Sequence, residues 1–448
     1  MMLAGAGLAA GSSLAAAPLK LAGVRPAQQK FTEPAKGDQV IHRSWKSLGG
    51  ESISLLGMGC MRFPRKPGAG RRAPLDQEQV NQMIDYALEH GINYFDTAPA
   101  YGDSERATGE ALSKHKRESF FLATKMSNFS NADFNACKEM FARSLKNLRT
   151  SYFDYFLLHA ISDVADFNKR FKDNGLLDWL IEQKKKGVIR HLGFSFHGSN
   201  QALRELLALP YDWEFVQIQL NYVDWKDMPL EDSDEPCDSE TLYKMLAEKN
   251  IPVVIMEPLR GGKLVQGLPK EAEKAFERME PKRTPVDWAL RWVWNHPEVT
   301  VVLSGMNAEE QVEANCRTAS ESLPGQLSQK ELALYDRVLE ILRRNIRVGC
   351  TGCGYWQPCP KGVNIPTCFA LYNGSYVDGY FNSLREYMMC TTLRRVRANA
   401  GLCVKCGKCE QHCPQHLPIR EELDAVCRRF ETPLYRLAAL AAPAIMKY

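Results

Sequence analysis

Eight short apolar segments alternate with charged, amphipathic segments between residues 52 and 306. Apolar runs of this length are typical of buried strands, and the segments between them have the apolar spacing of helices. Because a helix is the usual crossover between parallel strands, the alternation predicts parallel βα units. Eight such units close a barrel, so the sequence predicts a (β/α)8 TIM barrel. The predicted strands are Ser54–Met61, Asn93–Thr97, Phe120–Lys125, Tyr155–His159, His191–Phe196, Phe215–Asn221, Val253–Leu259 and Val299–Met306.

A doubly wound open sheet is the alternative architecture for this alternation. Such sheets carry G-x-G-x-x-G at the first strand–helix junction when they bind dinucleotides, and this chain has no such motif there. The sequence therefore favours the barrel, at residues 42–340. After the barrel the sequence becomes rich in Cys, Pro and Gly. This change in composition predicts a small, α-rich second domain at 345–425 and a helical tail at 426–448.

The first thirty residues differ from the rest of the chain. Residues 1–30 are rich in Ala, Gly and Leu, with a run of three alanines at 15–17. An apolar stretch that ends in small residues is typical of an export signal and its cleavage site. No basic segment precedes it, so it resembles a twin-arginine signal that lacks its first residues. We expect a periplasmic location by such a signal, or a cytoplasmic one for the chain as written.

The charge and hydropathy of the sequence argue against nucleic-acid binding and against a membrane-spanning segment. The 57 basic and 53 acidic side chains leave a net charge of +4, with no dense Lys/Arg run, so nucleic acid is not an expected partner. No stretch of about 18 uninterrupted apolar residues occurs, so we expect no transmembrane segment.

Reactive polar side chains follow the second, third and fourth predicted strands. In a (β/α)8 enzyme the catalytic groups lie at the carboxyl ends of the strands and in the loops after them. Asp96 and Tyr101 come after the second run, Lys125 ends the third and His159 ends the fourth. An ammonium group lowers the pKa of a neighbouring phenol, and a carboxylate keeps that ammonium charged. We therefore expect Tyr101 to protonate a carbonyl oxygen as hydride arrives, with His159 donating to the same oxygen.

The segments around these four residues closely resemble the aldo/keto reductase superfamily. The family's tetrad of Asp, Tyr, Lys and His matches Asp96, Tyr101, Lys125 and His159 in order and spacing. The resemblance implies an NAD(P)-dependent oxidoreductase that acts on a small carbonyl or alcohol substrate. The matching segments are Gly91-Ile-Asn-Tyr-Phe-Asp-Thr-Ala-Pro-Ala-Tyr-Gly, Ala123-Thr-Lys and Leu157-Leu-His.

The resemblance also implies contacts to a nicotinamide cofactor, NADPH or NADH. The family commonly has Asn after the serine that matches Ser195, whereas this chain has Phe196. NADPH-specific relatives have a lysine and an arginine where Gly305 and Gln311 stand, so the preference between the two cofactors stays open. The implied contacts are Ser195 and Gln217 at the carboxamide, Met256 under the ring, Arg260 or Lys263 at the pyrophosphate, and Ser304, Gly305 and Asn315 at the phosphates and adenine.

Two cysteine clusters follow the barrel. The segment from Cys403 to Pro414 reads C-x2-C-x2-C-x3-C-P, the spacing that binds bacterial [4Fe–4S] clusters, with zinc as the alternative for any CxxC pair. The first cluster of cysteines is incomplete, because Trp356 stands where a third cysteine is expected. The ferredoxin pattern of cross-ligation implies one cluster on Cys359, Cys403, Cys406 and Cys409, and only three ligands for a second, Cys350, Cys353 and Cys413.

The second cluster would be a [3Fe–4S] cluster, would recruit Cys368 or Cys390, or would be absent. The whole chain resembles the aldo/keto reductases that carry a C-terminal ferredoxin-type domain. An iron–sulfur domain implies one-electron transfer with an external redox protein. The sequence leaves two other functions open: electron transfer between nicotinamide or flavin and a redox protein, and a module that senses nicotinamide without turnover.

Overall fold

The computed structural model describes most of the chain outside its two ends. The described residues are 30–31, 39–45, 48–67, 73–226, 237–266, 268–350, 352, 359–377, 380–393, 396–437 and 439. Apart from Lys30, the predicted leader at 1–30 lies outside them, as do Cys353, Trp356 and the end of the predicted tail.

Eight parallel strands form a closed barrel, which confirms the (β/α)8 prediction and excludes the open sheet. A small antiparallel sheet precedes the barrel and consists of β1 (Lys30–Phe31), β2 (His42–Ser44) and β3 (Ser52–Ser54). The barrel strands are β4 (Leu56–Gly59), β5 (Tyr94–Asp96), β6 (Phe121–Met126), β7 (Phe153–Ile161), β8 (Ile189–Phe196), β9 (Val216–Gln219), β10 (Val253–Met256) and β11 (Val299–Ser304). Each falls within or overlaps one of the eight predicted runs.

Helices connect the strands and cover the barrel. Their apolar faces pack on the outward side chains of the strands in one large core. The helices are α1 (Gln77–Glu89), α2 (Ser104–Leu112), α3 (Phe134–Asn147), α4 (Val164–Phe167), α5 (Leu176–Lys185), α6 (Asn200–Leu206), α7 (Ser239–Glu248), α8 (Lys270–Glu277), α9 (Pro285–Trp294), α10 (Glu309–Ser320) and α11 (Gln329–Asn345).

Side-chain alternation along the strands separates this outer core from the barrel interior. On β5, Phe95 belongs to the outer core, while Tyr94 packs in a second cluster inside the barrel. Residues two apart share a face of a strand, so the position after Tyr94 on the inner face is Asp96. The same rule places Lys125 after Ala123 on β6. The last inward position of these strands therefore carries a polar side chain at the mouth of the barrel.

The hairpin of β2 and β3 closes the opposite end. Trp45, Leu48 and Ile53 are buried in the interior cluster with inward residues of the strands. The fully buried Arg43 donates to the backbone carbonyl of Val299, the first residue of β11. Among the described residues, apolar side chains therefore fill this end of the barrel, opposite the carboxyl ends of the strands.

A second, helical unit follows α11. It contains α12 (Ile365–Val377), α13 (Tyr380–Tyr387), α14 (Lys408–Gln411) and α15 (Ile419–Phe430), so the expected start of the tail at residue 426 falls inside a helix. Its own apolar core begins at Val348 and includes Tyr435 and Ala439 from the tail segment. Among the described residues, every helix is too short or too polar to cross a bilayer.

Candidate active site

The four residues of the predicted tetrad lie together at the mouth of the barrel. Nζ of Lys125 lies 2.5 Å from Oδ1 of Asp96 and 4.9 Å from the centroid of the Tyr101 ring. The Tyr101 ring meets the His159 ring edge to face, with 5.8 Å between centroids. Three neighbouring strands and the loop after β5 therefore bring an acid, a phenol, an ammonium and an imidazole together in one cluster.

A short turn places Tyr101 over Lys125. After β5 the chain forms a single 3-10 turn, Pro99–Tyr101, and Gly102 then takes a positive φ of 63° before α2 begins. The Oγ1 of Thr97 lies 2.8 Å from Oγ of Ser104 on α2, which fixes the two ends of this loop. Lys125 also donates to the carbonyl of Thr97 at 3.0 Å, so the same lysine holds the strand end and faces the tyrosine.

Burial sets the protonation of the site. Asp96 and Lys125 are 3% and 1% exposed. Burial raises the pKa of the Asp96 carboxyl, and the Lys125 ammonium opposes that rise. Burial, with Lys125, His197 and Arg170 nearby, holds the pKa of His159 well below its usual value. The His159 imidazole is therefore neutral near pH 7 and has one N–H to donate.

Two contacts fix the position of His159. Its Nδ1 lies 2.7 Å from Oγ of Ser127 in the loop after β6. Its backbone carbonyl accepts a hydrogen bond of 2.6 Å from Nη2 of Arg170, whose Nε donates to the carbonyl of Asn128. Arg170 therefore ties the end of β7 to the loop after β6. Sequence reasoning missed Arg170, because it lies in a charged helical segment without a motif.

A cleft of about 570 Å³ opens beside the tetrad. Asp96 and Tyr101 line it, and Lys125 and His159 both contact the Tyr101 ring. Five of the cofactor residues implied by the family resemblance line the same cleft. They are Gln217, Met256, Ser304, Gly305 and Asn315. In the far part of the cleft, Nδ2 of Asn315 donates to Oγ of Ser304 at 3.1 Å.

Ser195 and Arg260, two further residues implied as cofactor contacts, do not line the cleft. Ser195 is buried, and its Oγ accepts a hydrogen bond of 2.8 Å from the backbone N–H of Ala160. Arg260 is 3.2 Å from Asp224 in a buried ion pair, although Gly261 and Gly262 beside it do line the cleft. The assignment of these seven residues to cofactor contacts stays a prediction.

The cleft also contains polar residues that sequence reasoning did not find. Arg62 follows β4, and its Nη2 is buried without a hydrogen-bond partner. Glu257 follows β10, and burial raises the pKa of its carboxyl. His197 follows β8, and Gln415 comes from the C-terminal unit. The rule that loops after the strands carry function would have found the first three, whereas nothing in the sequence places Gln415 at the barrel.

A second, smaller cavity lies in the C-terminal unit. Cys359, Cys403, Cys406 and Cys409, the four residues of the expected first cluster, all line it. The backbone N–H of Lys405 points at Sγ of Cys403 at 3.4 Å. Of the remaining expected ligands, Cys350 and Cys413 are buried in the apolar core of this unit, and Cys353 lies outside the described residues. Across the part of the chain that the structure describes, no three His, Cys, Asp or Glu side chains converge as the ligands of one metal ion do.

The model of the aldo/keto reductase family matches residues 55–340, which is most of the barrel. Oxidoreductase YqkF of Bacillus subtilis is 25% identical over 301 residues, 60% of this chain and 88% of its own length. The NADH-specific methylglyoxal reductase of Escherichia coli is 25% identical over 341 residues, 66% of this chain and 98% of its own length. The holo form of an aldo-keto reductase from Bacillus halodurans superposes with a TM-score of 0.50 at 24% identity, over 69% of this chain and 96% of its own, which supports the fold.

Proposed function

The chain belongs to the aldo/keto reductase family and is an oxidoreductase, and we propose that it interconverts a carbonyl and an alcohol with NADH or NADPH. The observation that carries this proposal is the contact of Tyr101 with both Lys125 and His159 beside the cleft. A phenol next to a buried ammonium is a general acid whose anion is stabilised after it gives up its proton.

The described contacts support one role for each tetrad residue. Tyr101 gives its proton to the carbonyl oxygen, and Lys125 stabilises the phenolate that forms. Asp96 positions Lys125 through the 2.5 Å contact. His159, neutral and fixed by Ser127, orients the substrate oxygen toward Tyr101. In the reverse direction, the Tyr101 phenolate takes the proton of the alcohol.

The hydrogen-bonding groups that line the cleft suit a nicotinamide dinucleotide. Oε1 of Gln217 is buried without a partner and suits an amide N–H, and the unpartnered Nη2 of Arg62 suits a phosphate. Ser304, Gly305 and Asn315 line the part that would hold the adenosine end. The nicotinamide, when bound, supplies or accepts the hydride. Met256 lines the cleft as well and would lie against the ring.

We further propose that the C-terminal unit binds a [4Fe–4S] cluster through Cys359, Cys403, Cys406 and Cys409, which would supply one-electron transfer. The support is that one cavity is lined by these four thiols. A cubane takes one thiolate at each of four iron corners, so its ligands are spread around it rather than converging on one point as zinc ligands do. Four cysteines that line one cavity are compatible with this arrangement.

The backbone and the charges around this cavity support the cluster. Lys405 and Gly407 have positive φ values of 57° and 74°, which allows the chain to wrap tightly between the cysteines. The N–H group of Lys405 directed at Cys403 stabilises a thiolate. Lys361 and Lys408 also line the cavity and offset the negative charge of four thiolates.

A second candidate function is electron transfer between the nicotinamide site and a redox protein. It is favoured by Pro414 and Gln415, which line the cleft directly after the last cysteine of the motif. Such a protein would reduce a one-electron acceptor in the presence of NADH or NADPH without any carbonyl compound, whereas the proposed reductase needs the carbonyl.

The test compares Tyr101→Phe with the parent protein in reduction of a panel of carbonyl compounds by NADH and by NADPH. Loss of the phenol should lower kcat/KM by about 10²–10⁴-fold, the usual scale of general acid catalysis, and leave the Kd of the cofactor nearly unchanged. Tyr211→Phe is the matched control, because Tyr211 packs on Phe167 and Trp213, outside the cleft. Equal rates for Tyr101→Phe and the parent would contradict the proposal.

A further inference from the structure

The C-terminal unit contributes side chains to the cleft in the barrel. Directly after Cys413, the chain crosses to the mouth of the barrel, where Pro414 and Gln415 line the cleft together with Tyr101 and Gln217. The cleft is therefore completed by a segment that follows the last cysteine of the motif and lies outside the barrel.

A reciprocal pair of amide hydrogen bonds fixes Gln415. Its Nε2 donates to Oε1 of Gln219 at 2.7 Å, and Nε2 of Gln219 donates back to Oε1 of Gln415 at 3.3 Å. Nε2 of Gln219 also donates to Asp224 at 2.6 Å. Gln415 and Gln219 are 5% and 3% exposed. Each amide has two N–H groups and an oxygen that accepts twice, so this pair leaves Gln415 one further donor and one further acceptor.

The next residue fixes a second polar side chain of the cleft. Nε2 of His416 donates to the backbone carbonyl of His197 at 2.9 Å. The backbone N–H of His197 donates to the carbonyl of Ile161, also at 2.9 Å. Gly198 follows, and a Cβ there would come within 1.8 Å of the carbonyl oxygen of Ser162, so the loop packs closely against the end of β7. Hydrogen bonds therefore fix both the backbone N–H and the carbonyl of His197, which also lines the cleft.

Both side chains are neutral hydrogen-bonding groups. Burial, reinforced by His416 and Lys125, lowers the pKa of His197 to about 3, so the imidazole carries no charge near pH 7. The Gln415 amide never ionises. Two neutral hydrogen-bonding side chains suit a hydroxyl or a second carbonyl on the substrate. A site that hydrogen-bonds such a group also rejects the analogue that lacks it.

We propose that Gln415 is a specificity-determining residue of the reductase site, and that with His197 it recognises an uncharged carbonyl substrate bearing a second oxygen next to the reacting carbonyl. The inference rests on the proposed reductase function. It assigns the C-terminal unit a direct part in substrate selection, in addition to its proposed cluster.

A matched pair of three-carbon aldehydes tests it, glyceraldehyde with two hydroxyl groups and propanal with none. The parent protein should have the higher kcat/KM for glyceraldehyde. Gln415→Met removes the amide at similar volume and should lower the ratio of kcat/KM for glyceraldehyde to that for propanal by about 3–10-fold, the effect of one lost hydrogen bond. This loss should appear mainly as a rise in the KM of glyceraldehyde.

Gln411→Met is the control, because Gln411 is exposed on α14 of the same unit and does not line the cleft. Iron content and the Kd of NADH show whether each variant keeps its fold. If Gln415→Met loses iron, Gln415→Asn, which keeps the amide but shortens its reach, should lower the same ratio.

Three results would overturn the inference. They are a parent protein that prefers propanal, an unchanged ratio in a folded Gln415 variant, and an equal change in Gln411→Met. A parent protein that reduces no carbonyl compound would overturn the proposed function itself and this inference with it.

Discussion

Nζ of Lys125 and Oδ1 of Asp96 are 2.5 Å apart inside the barrel, where the two side chains are 0% and 4% exposed. A buried ion pair gains little net stability, because desolvation of the two charges offsets their attraction. Removing one partner is different, since the other charge then stays buried without compensation. Single and double mutations of this pair can therefore distinguish its effect on stability from its effect on activity.

Lys125→Met should lower the free energy of unfolding by about 3–5 kcal/mol near neutral pH, because Asp96 then lacks its counter-charge. Activity should be lost as well, since nothing stabilises the Tyr101 phenolate. The double variant Lys125→Met with Asp96→Asn should regain most of the stability and none of the activity. Thermal unfolding and carbonyl reduction measured on the three proteins check this. A double variant as unstable as Lys125→Met would show that the charge of Asp96 is not the cause.

The barrel could be predicted from the sequence because the pattern of an apolar run followed by an amphipathic segment occurs eight times. Eight apolar runs at regular spacing identify eight strands, and the order of Asp96, Tyr101, Lys125 and His159 identifies the end of the barrel where chemistry takes place. Each of these four residues lies on its own strand or in the loop directly after it, so local sequence determines where it lies in the barrel.

The rest of the site depends on contacts that local sequence does not encode. Gln415 reaches the cleft through hydrogen bonds with Gln219, 196 residues away in the chain. Arg260 has the sequence context of a phosphate ligand, yet it pairs with Asp224. Residues that meet only after two units pack have no periodicity or motif that could reveal their contact.

The stability of the barrel should depend on pH through His191, which lies at the start of β8, the end opposite the cleft. Its Nδ1 is 3.1 Å from Glu214 and its Nε2 is 3.5 Å from Glu51. Although burial lowers the pKa of His191, these two carboxylates raise it to about 9 from 6.5. The protonated form is thus favoured by folding, so its stabilisation is complete below pH 6.5 and is lost as the pH rises through about 9.

His191→Gln should therefore lower the Tm at pH 6 and have a much smaller effect above pH 9. After allowance for solvent screening, the difference in stability should be about 1–2 kcal/mol at the lower pH. Calorimetry of both proteins across this range checks the sign. A gap in Tm that widened with rising pH would contradict it.

Cofactor preference should respond to charge at Gln311, which lines the cleft near Gly305. Gln311→Arg should raise the ratio of kcat/KM with NADPH to that with NADH by about 10-fold, because it adds a charge-assisted contact to the 2′-phosphate. Adding Gly305→Lys should raise the ratio further, although a Cβ at Gly305 would lie 3.1 Å from Cδ of Arg62, which must shift.

Gln326→Arg is the charge control for this experiment, because it adds the same charge at an exposed loop position outside the cleft. An unchanged ratio in Gln311→Arg, or an equal rise in Gln326→Arg, would show that this part of the cleft does not hold the adenosine ribose.

The iron content of the protein should reveal how many clusters the C-terminal unit binds. Anaerobically purified protein should contain about four irons in one cubane, or about seven if a three-iron second cluster also forms. Trp356→Cys should raise the content toward about eight, because Cys350, Cys353 and Cys413 already supply the other three ligands of a second cubane. Eight irons in the parent protein would contradict the loss of a ligand at Trp356 and would indicate Cys368, Cys390 or a ligand other than cysteine.

The first cluster should depend on Cys406 and not on Cys427, which is a cysteine of the same unit. Cys406 lines the cavity of the C-terminal unit, whereas Cys427 lies on α15 outside it and is only half-buried. Cys406→Ala should abolish the cubane and destabilise the C-terminal unit, because cluster binding and folding are coupled in small metal domains. The barrel should stay folded, since its apolar core is separate from that of the C-terminal unit. Iron analysis, electron paramagnetic resonance and circular dichroism distinguish these effects, and equal iron content in Cys406→Ala and Cys427→Ala would contradict the assigned ligands.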